Sequence, residues 1–262
     1  MTTVGFIGMG NMGSALARAA SKSGKAGRIL LSNRSPEKAM RLAEELGCEA
    51  LDNRGVSNQA QMLFLGVKPH MLEGMLDGIR DVLKARTDRF VVVSMVAGKD
   101  LHELSELLGS LPIIRIMPNI PVSVGGGVTL FAASPEVREE EKQFLKELLG
   151  CSGIVDEIEE DLLDAATGVT GCGPAFAAMF VEALADGAVA CGLPRRKAID
   201  YAAGMLKGTA KLLLQTGEHP GALKDRVCSP AGSTIQGVRT LEESAFRAAV
   251  MNAVIASFEK EF

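Results

Sequence analysis

The sequence has 262 residues, of which 47% are hydrophobic and only 4% aromatic, with a formal net charge of −4. That length suits one large or two modest domains, and the apolar share supports a packed core. With no dense Lys/Arg run, and no apolar stretch of membrane-span length free of charge or glycine interruption, neither nucleic acid nor a membrane is an expected partner.

In chain order, residues 4–7 predict a strand that runs into Gly8-Met9-Gly10-Asn11-Met12-Gly13, and residues 11–22 predict a helix. This is Gly-x-Gly-x-x-Gly in the context that a dinucleotide site requires, strand before and helix after. Gly8 permits the tight turn, Gly10 admits a pyrophosphate, and Gly13 lets the helix lie close to the strand. The free N–H groups of the helix start are expected to hold the phosphates.

Further strands are predicted at 29–31, 62–67, 90–93 and 113–117, alternating with helices at 36–46, 71–83 and 101–108. Ser35-Pro36-Glu37 reads as a helix start and Gly47 as a stop. Short strands at 128–132 and 153–155 flank a charged helix at 135–149. The βαβα order implies a mostly parallel sheet covered on both faces. Beyond about residue 161 no clear strand remains, and long helices are predicted at 174–191, 194–216 and 241–262. The fold class is therefore α/β: a Rossmann-type doubly wound domain over 1–160, then an all-helical domain over 161–262. The helix over 174–191 is rich in alanine and apolar on more than one face, so the helical domain is expected to pair in a homodimer.

About twenty residues after Gly13, where NAD-binding versions place a carboxylate, stand Asn33, Arg34 and Ser35. Arg34 can pair with a 2′-phosphate, and Asn33 and Ser35 can donate hydrogen bonds, so NADP(H) is the preferred cofactor with NAD(H) possible. Gly66-Val67-Lys68-Pro69 and Ser94-Met95-Val96-Ala97-Gly98 each end a strand at the sheet edge that lies beside the dinucleotide.

The five cysteines include no Cys-x-x-Cys pair, so neither a disulfide framework nor a zinc site is read, and a reducing cytoplasm is the simplest compartment. The second strand begins by about residue 28, leaving no room for a cleaved leader before the fold. His70, His102 and His219 are scattered, which disfavours metal or histidine-based chemistry. Cys172 and Cys228 read as small packing residues.

Three segments reach beyond a cofactor domain: Arg115-Ile-Met-Pro-Asn-Ile-Pro121, Thr170-Gly-Cys-Gly-Pro-Ala-Phe176 and Val227-Cys-Ser-Pro-Ala-Gly-Ser-Thr234. With the N-terminal fingerprint and Val67-Lys68-Pro69, the chain closely resembles pyrroline-5-carboxylate reductase from residue 4 to about 255. The resemblance implies reduction of the cyclic imine of 1-pyrroline-5-carboxylate to L-proline, the last step of proline synthesis. It also implies a helical domain interlocked in a dimer, with possible assembly of dimers into rings.

Carried over by motif, Ile7, Gly8, Met9, Gly10, Asn11 and Met12 line the pyrophosphate. Ser35 and Asn53 meet the adenosine end, and Gly66, Val67, Lys68, Pro69, Met95, Val96 and Ala97 meet the remainder of the cofactor. Glu160, Ser229, Gly232, Ser233 and Thr234 bind substrate. Cys172, Phe176, Ala231 and Arg226 depart from residues common in the family.

The loop over 229–234 suits a helix start whose N–H groups bind the substrate carboxylate. The Thr234 hydroxyl is the candidate catalytic group at the ring nitrogen, aiding turnover without being indispensable. A 3-hydroxyacid dehydrogenase of the hydroxyisobutyrate type shares the opening motif, but it needs a lysine followed one turn later by asparagine, where this chain has Lys207 and Lys211. An NADP-dependent redox sensor would keep the fingerprint and would not need the loop over 229–234.

Overall fold

The computed structural model describes residues 2–260. Contacts divide them into two compact units, which part between Gly171 and Cys172.

The first unit is built on an eight-stranded sheet. Its strands are β1 (Thr3–Ile7), β2 (Arg28–Ser32), β3 (Glu49–Ala50), β4 (Met62–Leu65), β5 (Val91–Ser94), β6 (Ile113–Pro118), β7 (Gly127–Ala133) and β8 (Gly153–Glu157). Their order is β3-β2-β1-β4-β5-β6-β7-β8. Every pairing is parallel except the β6–β7 pair. The order reverses direction between β1 and β4, which creates the switch point where doubly wound sheets bind ligands.

The two-residue period of the strands feeds two cores. Phe6, Leu31, Phe64 and Val93 join one cluster with Leu16, Leu42 and Leu145 from helices Asn11–Ser23, Pro36–Leu46 and Glu139–Leu149. Ile7, Leu30, Leu63, Leu65 and Val92 join the other with Val56, Leu76 and Leu104 from the opposite face. Phe6 and Phe64 stack across neighbouring strands with ring centroids 4.4 Å apart. The expected α/β architecture is thus observed.

The differences from the sequence reading are local. Residues 71–83 form two short helices, Leu72–Asp77 and Arg80–Ala85, because the chain breaks at Gly78. The strand β3 and the helix Asn53–Gln59 were not expected, being too short to show a period. The helix Glu160–Thr170 also belongs to the first unit. The buried guanidinium of Arg115 on β6 holds it there, reaching Asp164 at 2.8 Å and Glu160 at 3.4 Å. Asn119 Nδ2 donates to the Thr170 carbonyl at 2.8 Å, while Asn119 Oδ1 accepts from Val128 N at 2.9 Å.

The second unit is all helical: Gly173–Ala190, Arg195–Thr216, Pro220–Val227, Ser233–Glu243 and Phe246–Lys260. The helix expected over 241–262 begins only at Phe246: residues 241–243 end the helix Ser233–Glu243, Ala245 with φ 55° parts the two, and residues 261–262 lie outside the described residues. Among the described residues, its buried apolar side chains are only Ala185, Ala198, Ala202 and Leu223. Met179 and Leu214 are 67% and 74% exposed. A helical layer this open has no closed core of its own. The helical residues Glu160–Ala190 are together long and apolar enough to cross a membrane by length and composition. They carry the interruptions the sequence reading noted, at Gly171, Gly173, Glu182, Asp186 and Gly187.

Candidate active site

The turn after β1 is built by steric exclusion. Gly8 has φ 101°, and a Cβ there would stand 2.4 Å from the Gly66 carbonyl oxygen. The turn is pinned by Gly8 N donating to Ser32 O and Gly66 N donating to Ile7 O, each at 2.8 Å. A Cβ on Gly10 would meet nothing within 4 Å. Gly10 is also the N-cap of the helix Asn11–Ser23, with no side chain capping it. Open space and orphan N–H donors meet at one point, as phosphate binding requires.

A cleft of about 1030 Å³ opens at this switch point. Of the residues read from sequence for the cofactor, it is lined by Ile7, Gly8, Gly10, Asn11, Met12, Asn33, Arg34, Ser35, Asn53, Gly66, Val67, Lys68, Pro69, Met95 and Ala97. Met9 and Val96 are exceptions. Their side chains are 0% and 2% exposed and pack into the two cores, so neither lines the cleft. Gly13 of the fingerprint also lines it, and the sequence reading missed Lys38, Met71, Gly74 and Met75, which line it too.

Charge in the cleft has one sign. Arg34, Lys38 and Lys68 line it, and no Asp or Glu does. Arg54, beside Asn53, is committed elsewhere: both its terminal nitrogens bond Asp81 at 2.7 Å. That guanidinium holds the Asp81 carboxyl down at about 2.

The amide of Asn33 lines the cleft and also braces the loop around it. Its Oδ1 accepts the Met9 N–H at 2.9 Å, and its Nδ2 donates to Ser35 O at 3.2 Å. Asn53 Oδ1 accepts from the Ser32 hydroxyl at 2.6 Å. Ser35 occupies the N-cap of the helix Pro36–Leu46 with no side-chain capping bond, which leaves its hydroxyl free for a ligand.

In the second unit, residues 229–234 form a tight turn into the helix Ser233–Glu243. Gly232 N donates to Ser229 O at 3.0 Å, and a Cβ on Gly232 would stand 2.3 Å from Ser229 Oγ. Gly232 is the N-cap and supplies no side chain, so the first N–H groups of the helix stay open. Ser229, Ser233 and Thr234 are exposed around them. Ala231 has φ 58°, the left-handed region that favours glycine. Arg226 pairs with Glu218 at 3.0 Å, which accounts for its charge.

Glu160 stands in the first unit, apart in sequence from that loop. Its Oε1 accepts the Leu101 N–H at 2.7 Å and faces Arg115. This carboxylate fastens the start of the helix Leu101–Leu108, which follows the cleft-lining residues Met95 and Ala97. No group of His, Cys, Asp and Glu suited to a metal ion occurs among the described residues. Cys48, Cys151, Cys172, Cys191 and Cys228 are free thiols.

Known proteins place this geometry in a family. The family described as pyrroline-5-carboxylate reductase dimerisation matches residues 160–261. The family described as NADP oxidoreductase, coenzyme F420-dependent, matches residues 3–98. The pyrroline-5-carboxylate reductase of Escherichia coli (strain K12) is 41% identical, over 98% of this chain and 96% of its own length. Pyrroline-5-carboxylate reductase 2 of Homo sapiens is 41% identical, over 97% of this chain and 81% of its own. Among solved structures, a pyrroline-5-carboxylate reductase from Coxiella burnetii superposes with a TM-score of 0.92 at 28% identity, covering 99% of this chain and 97% of that one. The Plasmodium falciparum pyrroline carboxylate reductase, solved with NADP bound, gives a TM-score of 0.85 at 29% identity over the same shares. The chain belongs to the pyrroline-5-carboxylate reductase family.

Proposed function

We propose that the protein reduces the C=N bond of 1-pyrroline-5-carboxylate to give L-proline, using NADP(H) in preference to NAD(H). The observation that carries this reading is one chain holding two sites of complementary chemistry. One is a cleft at the switch point lined by cations and no carboxylate. The other is an uncapped helix start ringed by Ser229, Ser233 and Thr234. The first suits a phosphorylated dinucleotide, and the second suits a small carboxylate.

When bound, the nicotinamide supplies the hydride. The chain's own residues do the rest. The N–H groups at the start of the helix Ser233–Glu243 hold the substrate carboxylate, helped by the helix dipole. The Thr234 hydroxyl oxygen accepts the N–H of the protonated ring nitrogen, which favours that form and makes the adjacent carbon electrophilic. The hydride would add to that carbon: when the nitrogen is already protonated the C=N π pair becomes the N lone pair, and when it is not, that pair takes up a proton to become the N–H bond. Orientation, not a strong acid, is the protein's contribution. This agrees with a turn rich in hydroxyls and poor in titrating groups.

A homodimer through the helical unit, with dimers able to assemble into rings, fits the apolar side chains that this unit leaves exposed. A cytoplasmic location fits five free thiols.

The test is oxidation of NADPH dependent on 1-pyrroline-5-carboxylate, with proline-dependent reduction of NADP at high pH as the reverse. Absence of both in folded protein rejects the reading. Thr234→Ala is expected to lower turnover about ten-fold or more; unchanged kcat and KM would remove Thr234 from the mechanism.

A further inference from the structure

We propose that Lys38 is a specificity-determining residue of the nucleotide cleft, a second cation that acts with Arg34 on the 2′-phosphate of the cofactor's adenosine. This rests on the reading of NADP(H) as the preferred cofactor.

Lys38 is the third residue of the helix Pro36–Leu46, one turn beyond Arg34. Side chains in a helix lean toward its N-terminus, so Lys38 covers the surface over Ser35 and Arg34. It lines the same cleft as both. A cation in a first helical turn opposes the macrodipole, and acidic residues are favoured there. Lys38 holds that position beside Glu37 and forms no ion pair among the described residues. An anionic ligand at the helix start reverses the sign of this local cost.

The alternatives among nearby cations are excluded by geometry. Arg54 is held by Asp81 through two bonds of 2.7 Å. Lys68 follows β4, on the other side of the switch point from the end of β2. Arg41 does not line the cleft. Arg34 and Lys38 are left as the cations beside the free Ser35 hydroxyl. Four residues apart, they can grip one phosphate from two directions.

The experiment measures calorimetric affinities of 2′,5′-ADP and 5′-AMP for the full-length protein, for Lys38→Met, which keeps the aliphatic stem, and for Lys38→Arg. Wild type is expected to favour 2′,5′-ADP, and Lys38→Met to reduce that preference about five-fold. Lys38→Arg is expected to restore it, and added salt to narrow the wild-type preference more than that of Lys38→Met. An unchanged preference in Lys38→Met overturns the proposal. So does an equal loss for both nucleotides, which marks a purely structural role. A wild type with no preference for 2′,5′-ADP overturns the NADP(H) reading itself, and with it this one.

Discussion

The side-chain oxygen of Asn33, at the end of β2, accepts the backbone N–H of Met9, in the glycine turn after β1, at 2.9 Å. The bond ties the loop proposed to read the adenosine end to the glycine turn proposed to hold the pyrophosphate. Asn33→Leu removes the acceptor and is expected to weaken NADPH and NADH binding together, by several-fold each, and to cost about 1 kcal/mol of stability. Asn33→Asp keeps the acceptor but adds the carboxylate that the cleft lacks, so it is expected to weaken NADPH selectively. Fluorescence titration with each nucleotide separates the two effects; equal behaviour of the two variants would reject the division.

Arg34 is exposed and forms no ion pair among the described residues, which leaves its guanidinium available to the cleft. Arg34→Ala is expected to raise the Kd for NADPH about ten-fold while changing that for NADH far less, the signature of a lost charge-assisted bond to phosphate. Equal losses for the two nucleotides would make Arg34 a general loop residue.

Much of this site was legible because its chemistry is local. Gly8, Gly10 and Gly13 declare themselves by spacing, and the turn needs little beyond those residues. The polarity beyond β2 was legible for the same reason. Met9 and Val96 were misplaced because motif reading assigns a whole segment to the ligand, whereas alternate residues of an extended chain face opposite ways. Lys38 was missed because a lysine on a surface helix has the pattern of a solvated face; only the cleft distinguishes it. Met71, Gly74 and Met75 were hidden in an expected helix over 71–83 that the fold splits at Gly78. The break at Ala245 was silent for a similar reason: Ser244-Ala245 offers no glycine or proline to mark the left-handed φ of 55°.

The Arg54–Asp81 pair gives a pH signature at the rim of the nucleotide site. Asp81 sits in the first turn of the helix Arg80–Ala85, and its carboxyl is held at about 2, chiefly by the hydrogen bonds from Arg54. A carboxyl lowered in the folded state contributes stability above its ordinary value near ~3.9, and that contribution is lost as pH falls towards 2. Both side chains are exposed, so salt is expected to weaken the pair. Carbon-detected NMR titration of Asp81 is the measurement. Arg54→Met is expected to return the transition to the ordinary carboxylate range, and an unmoved transition would assign the shift to the helix start instead.

Ala231 offers a prediction of the opposite sign, a substitution that stabilises. It holds φ 58° between Pro230 and Gly232, within the turn proposed to bind substrate. A Cβ in the left-handed region costs about 1–2 kcal/mol, whereas glycine adopts it freely. Glycine gives back part of that gain through the greater entropy of its unfolded chain, about 0.4–1 kcal/mol. Ala231→Gly is therefore expected to stabilise the protein by up to about 1 kcal/mol, a rise in Tm of about 2–4 °C for a chain of this size. Ala231→Val, with a branched Cβ in the same conformation, is expected to lower Tm. The two variants bracket the strain: a higher Tm for valine than for glycine would show that the turn does not hold residue 231 in the left-handed region in solution. Measured beside KM for 1-pyrroline-5-carboxylate, the pair also asks what the strain does. If the alanine fixes the open N–H groups of Ser233 and Thr234, Ala231→Gly raises KM while it raises Tm, and stability and substrate affinity move in opposite directions.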